Sequence, residues 1–110
     1  MALSFLKKNN EKELQEFDTV AKDRILFEVI ANDDGRMAVL VDKLKQGTPL
    51  VLCFEKLDID AGNKMLAFLQ GAIYAIDGET RKITDDTYLF ARKVDFQDGS
   101  LDEFIRNLKE

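Results

Sequence analysis

A chain of 110 residues has material for one domain and one core. With 45% hydrophobic and 34% charged residues it can build an ordinary soluble interior, and its net charge of −5 argues against general nucleic-acid binding. No histidine and a single cysteine remove most metal and nucleophilic chemistry and any internal disulfide, and no apolar run approaches the roughly 18 residues that span a bilayer.

Residues 1–23 read as a tail and connector, and 24–110 as the folded domain. On a helical wheel Met1, Ala2, Leu3, Phe5 and Leu6 share one broad side, with Ser4, Lys7 and Lys8 opposite. Leu3, Phe5 and Leu6 supply apolar area and Lys7 and Lys8 supply charge for an anionic membrane surface. The alternative is a short helix docked on its own domain, or a frayed end. A charge-mixed run from Asn9 follows, interrupted by Leu14, Phe17 and Val20.

The domain opens with Ile25 to Ile30, an apolar run rich in strand formers, closed by Asn32-Asp33-Asp34-Gly35. Met37, Leu40, Val41 and Leu44 then follow helical spacing, with acids at the start, Lys43 and Lys45 in the last turn, and Gly47 beyond. Leu50 to Phe54 lacks alternation and predicts a strand covered on both faces. Asp58 fits the N-cap of a second helix whose inward stripe is Ala61, Met65, Phe68 and Leu69, ending at Gly71. Ala72 to Ile76 predicts a strand, Asp77-Gly78 a tight hairpin turn, and Thr80 to Ile83 the returning strand. Thr84-Asp85-Asp86 turns the chain into Thr87–Ala91, another strand, and Val94 to Phe96 into a further short one. Ser100 and Glu103 match a capping box for a last helix carrying Leu101, Phe104, Ile105 and Leu108 on one face. The order β-α-β-α-β-β-β plus a C-terminal helix predicts an α/β sandwich of the α+β type: a mixed sheet with helices packed on it.

Cys53 sits in an apolar strand with no base beside it, which favours a core role over a nucleophilic one. Asp33-Asp34 and Asp85-Asp86 lack the spacing of an oxygen-ligand loop and read as caps and turns. Neither a catalytic group nor a cofactor is indicated, so a non-enzymatic protein is expected.

From Pro49 to Phe96 the chain resembles the SepF family of cell division proteins. The resemblance is carried by Phe54-Glu55-Lys56-Leu57-Asp58, by the run from Phe68 through Gly71, Tyr74, Ala75, Asp77 and Gly78, and by Arg81-Lys82-Ile83, Tyr88-Leu89-Phe90 and Val94-Asp95. The chain departs from the family at Gly62, Lys64, Ala67, Thr84 and Ala91-Arg92. The resemblance implies a homodimer able to assemble further, with no catalysis and no cofactor. It implies binding of the C-terminal peptide of the division protein FtsZ and attachment to the inner face of the cytoplasmic membrane at the division site.

Within that resemblance Gly71 and Ile73 belong to the dimer interface, and Lys82 and Tyr88 contact the FtsZ tail. Gly71 fits two roles, a helix-ending residue or a strand position where two subunits approach closely. Lys82 and Tyr88 offer a cation beside ring area, which suits a short peptide with apolar anchors and acids. Their plainer roles are a solvated lysine and a half-buried sheet tyrosine. A second functional reading is a self-associating peptide-binding domain with a different partner and no membrane contact.

Overall fold

A computed structural model describes residues 19–109; the expected membrane-binding residues Leu3, Phe5, Leu6, Lys7 and Lys8 lie outside that range. The elements are β1 (Leu26–Val29), α1 (Asp34–Lys45), β2 (Leu50–Cys53), α2 (Ile59–Ala75), β3 (Gly78–Lys82), β4 (Thr87–Arg92) and α3 (Ser100–Lys109), with 3-10 turns at Ala21–Arg24 and Lys93–Phe96. The strands form one mixed sheet in the order β1-β2-β4-β3, in which β1 and β2 are parallel and the other pairs antiparallel. This is the expected α+β sandwich.

Helix α1 begins and ends where its punctuation predicts. Asp33 accepts a hydrogen bond from the Arg36 N–H at 3.1 Å, and Gly47 leaves the helix at φ 101°, a backbone that glycine adopts freely. Asp58 caps α2 in the same way, accepting from the Ala61 N–H at 2.8 Å.

The sheet separates two cores because its side chains alternate. Leu50, Leu52 and Phe90 face α1 and α2, where they meet Met37, Leu40, Leu44, Met65, Leu69 and Ile73. Val51, Leu89 and Ala91 face the other way, against Ala21 and against Leu101 and Ile105 of α3. β2 is therefore covered on both faces, as its unbroken apolar run requires.

Four expectations about these elements are corrected. Ala72 to Ile76 is not a strand: α2 runs through Gly71 to Ala75, and β3 starts at Gly78. An apolar run of that length fits a strand or a buried helical turn equally, and the 4-residue spacing of Met65, Leu69 and Ile73 decides for the helix, since all three are buried. Phe68, expected inward, is 49% exposed on the outer face of α2. Val94 to Phe96 is a 3-10 turn, and the capping box does not form. Ser100 is the first residue of α3; its hydroxyl lies 2.6 Å from an Asp98 carboxylate oxygen and accepts from the Lys22 N–H at 3.0 Å.

Asp77-Gly78 is not the expected hairpin turn, because it joins α2 to β3; the positive φ falls on Asp77 (φ 58°). Gly78 is required for closeness instead. A Cβ there would stand 2.8 Å from the Ala91 carbonyl oxygen and 3.0 Å from Ile73 Cδ1, so any side chain would push β3 off β4.

The point where the N-terminal segment joins the domain is tied down by charge. Asp95, with only 5% of its side chain exposed, accepts from Arg24 at 3.0 Å and from Arg92 at 2.9 and 3.1 Å. Arg24 also donates to the carbonyls of Thr19 and Gly47. Beside it Asp98 accepts from the Ala21 N–H at 2.9 Å. Burial pushes the Asp98 carboxyl up, but the bonds from Ser100 and Ala21 and the nearby Arg24 charge outweigh it and hold it below the usual value.

At the opposite end of the sheet Arg36 forks onto Glu28, and that bond keeps the Glu28 carboxyl below its ordinary range despite partial burial.

Candidate self-association and peptide-docking site

The outer face of α2 is unusual for a solvent-facing helix. No charged side chain occurs from Met65 to Ile76, although a surface helix normally carries charge on its outer side. Ala67, Phe68, Gly71, Tyr74 and Ala75 are all exposed there, and Tyr74 is 89% exposed. A Cβ built on Gly71 meets nothing within 4 Å. Gly71 is thus neither the end of a helix nor a strand residue, and nothing among the described residues requires a glycine there. It flattens an apolar face, which lets another backbone come close.

Ile73 is placed differently from the expectation. It is 5% exposed and belongs to the chain's own core, because it follows Leu69 by one helical turn on the inward side. Its next neighbour Tyr74 is the one turned outward. Alternation along a strand would also have separated these two, and the helix does so by 100° of rotation.

Beside this face an open groove of about 480 Å³ runs between the end of α2 and β3. Its walls include Gln70, Ile73 and Tyr74 from α2, and Gly78, Glu79 and Thr80 from β3. Gln70 accepts a hydrogen bond from the Thr80 hydroxyl at 3.0 Å, which fixes the helix against the strand. β3 is an edge strand, paired with β4 on one side.

Lys82 and Tyr88 are brought together, as directly paired residues of β3 and β4 on the same face of the hairpin. Lys82 is 59% exposed and its ammonium lies 3.2 Å from Asp85, a pair too solvated to hold the charge tightly. Tyr88 is half-buried, packed edge-on against Phe54 at 5.9 Å and tilted against Phe90 at 6.2 Å. The core therefore fixes the ring, while the lysine beside it is free to turn toward a ligand. Thr80 joins the groove to this pair, since Thr80 and Lys82 project from the same side of β3.

Cys53 is half-buried, on the face shared with Val51, and does not line the groove. Among the described residues no three His, Cys, Asp or Glu side chains are grouped to hold a metal ion, and no helix is long and apolar enough to cross a membrane.

The profile of the family described as cell division protein SepF matches residues 27–93, the span from β1 through β4. The cell division protein SepF of Carboxydothermus hydrogenoformans is 37% identical over 65 residues, covering 59% of this chain and 47% of that protein. That of Symbiobacterium thermophilum is 42% identical over 52 residues, or 47% of this chain and 26% of the relative. That of Alkaliphilus oremlandii is 35% identical over 69 residues, 62% of this chain and 47% of the relative. The match spans less than half the length of each of these relatives. The family profile takes in all of the sheet but Leu26, together with α1, the uncharged face of α2 and the Lys82–Tyr88 pair. The chain belongs to the SepF family of cell division proteins.

Proposed function

We propose that this chain is a non-enzymatic division adaptor. Two copies pair through the outer face of α2, around Gly71, Phe68 and Tyr74. Each copy takes the C-terminal peptide of FtsZ beside β3, with Lys82 meeting an acidic group and Tyr88 an apolar one. Residues 1–8 attach the assembly to the inner face of the cytoplasmic membrane. The observation that carries this reading is the uncharged, exposed face of α2 lying next to a groove that leads to the Lys82–Tyr88 pair.

The energetics favour action in numbers. Burying Leu3, Phe5 and Leu6 contributes at most about 1.5–3 kcal/mol each before the cost of ordering, and two lysines add about 1 kcal/mol apiece near an anionic surface. That is weak for one tail. Paired or polymerised tails act at high effective concentration, so membrane attachment strengthens with assembly.

Flotation with anionic vesicles tests the adaptor directly. FtsZ is expected to float with the vesicles only when this chain is present, and to stay at the bottom when residues 1–8 are deleted. Flotation of FtsZ that is indifferent to the deletion would remove the tether.

A further inference from the structure

We infer that residues 1–8 have a second docking place, on this chain's own domain, and that the membrane and the domain compete for them. The inference rests on the reading of Met1–Lys8 as an amphipathic segment.

The place is an apolar patch on the α3 side of the sheet. α3 covers Val51, Leu89 and Ala91, but it leaves the edge strand β1 bare. Phe27 is 60% exposed and Val29 46%, although both stand on the face that α3 shares. The Phe104 ring reaches Phe27 at 6.0 Å and goes no further, and Leu108, one turn along the helix, is 52% exposed. Phe27 and Val29 on β1 and Leu108 on α3 are thus exposed apolar side chains on either side of the Phe27–Phe104 contact, on a chain whose net charge is −5.

The N-terminal segment is the occupant that the geometry favours. The described chain begins at Thr19, whose carbonyl is held by Arg24, and Ala21 is packed in the same cluster as Leu101 and Ile105. The segment therefore enters on the face that carries the patch. From Ser100 to Leu108 is about 12 Å along α3, whereas the ten residues Asn9–Asp18 can reach about 33 Å. An eight-residue helix is about 12 Å long, enough to cover Phe104 and Leu108, which stand about 6 Å apart along α3. Tethering makes this encounter intramolecular, which gives it an advantage over a second copy at ordinary concentration. Docked in this way, the residues that would enter a membrane are hidden, and a vesicle must displace them.

Cys53 is a native reporter. It is the single cysteine, half-buried, paired in register with Val29 and on the same face of the sheet. The experiment measures its labelling by dithiobis-nitrobenzoate in the full chain and in the variant Phe5→Glu/Leu6→Glu, whose changes lie outside the folded domain. Labelling is expected to be about tenfold faster in the variant. Phosphatidylglycerol–phosphatidylethanolamine vesicles should raise the wild-type rate to the same level. Equal rates in the two proteins overturn the inference, even if the wild type still floats with vesicles. So does a rate that depends on protein concentration and not on the variant, because a second copy then covers the patch. If the variant reacts faster while vesicles neither change the wild-type rate nor float the chain, self-docking stands and the tether of the proposed function fails.

Discussion

Gly71→Lys is expected to abolish self-association while leaving the monomer folded. The glycine lies within α2, where lysine is the better helix former by about 0.5–0.8 kcal/mol. A Cβ at this position meets open space among the described residues, so none of them resists the longer side chain. Between two copies the same side chain would force an ammonium into an apolar contact. That should weaken pairing by about 100-fold or more, which is about 2.7 kcal/mol. Sedimentation across a concentration series reads the first effect and thermal unfolding the second. A variant that unfolds would mean that α2 needs the glycine for itself, and one that still pairs would move the interface elsewhere. Gly78 is the contrasting case, because there the Ala91 carbonyl excludes any side chain and a substitution damages the fold itself.

Asp95→Ala should cost about 2–3 kcal/mol of stability. The carboxylate is the shared acceptor of Arg24 and Arg92, and removing it leaves two guanidiniums without their common counter-charge in a mostly buried place. Breaking a fully buried pair costs about 3–5 kcal/mol, and the partial exposure of both arginines, 16% and 27%, reduces that. Loss should begin locally, at the turn Ala21–Arg24, because Arg24 also fixes Thr19 and Gly47. Trypsin cleavage after Lys22 and Arg24 is then expected before global unfolding, and a urea midpoint measures the total. An unchanged midpoint would show that Asp95 adds nothing beyond its desolvation cost.

Most of the scaffold was legible in the sequence because its signals are local. Asp33, Gly47 and Asp58 sit where helix ends need them, and Leu50 to Cys53 reads as a doubly covered strand from composition alone. The end of α2 was not legible. Gly71 looks like a helix stop and Ala72-Ile73-Tyr74-Ala75-Ile76 looks like a strand, yet packing of Met65, Leu69 and Ile73 under one face carries the helix through both. Phe68 was read inward for a different reason, its helical spacing from Met65 and Leu69, and it stands 49% exposed instead.

The site was legible only through family spacing. Lys82 and Tyr88 carry no local signal that separates them from any other hairpin pair, and their adjacency comes from strand register. The Asp95 clasp was invisible, since Arg24 and Asp95 are 71 residues apart. So was the bare edge at Phe27 and Val29: an apolar strand does not say which of its faces a distant helix fails to cover.

Fluorescence titration of the full chain with a peptide of the FtsZ C-terminal sequence is the most direct measurement of the central contact in the proposed function. Wild type is expected to bind saturably, and Lys82→Glu to bind about tenfold more weakly or not at all, because the reversed charge beside Tyr88 repels an acidic peptide. A flat titration with wild type, or the same affinity in both proteins, would contradict it.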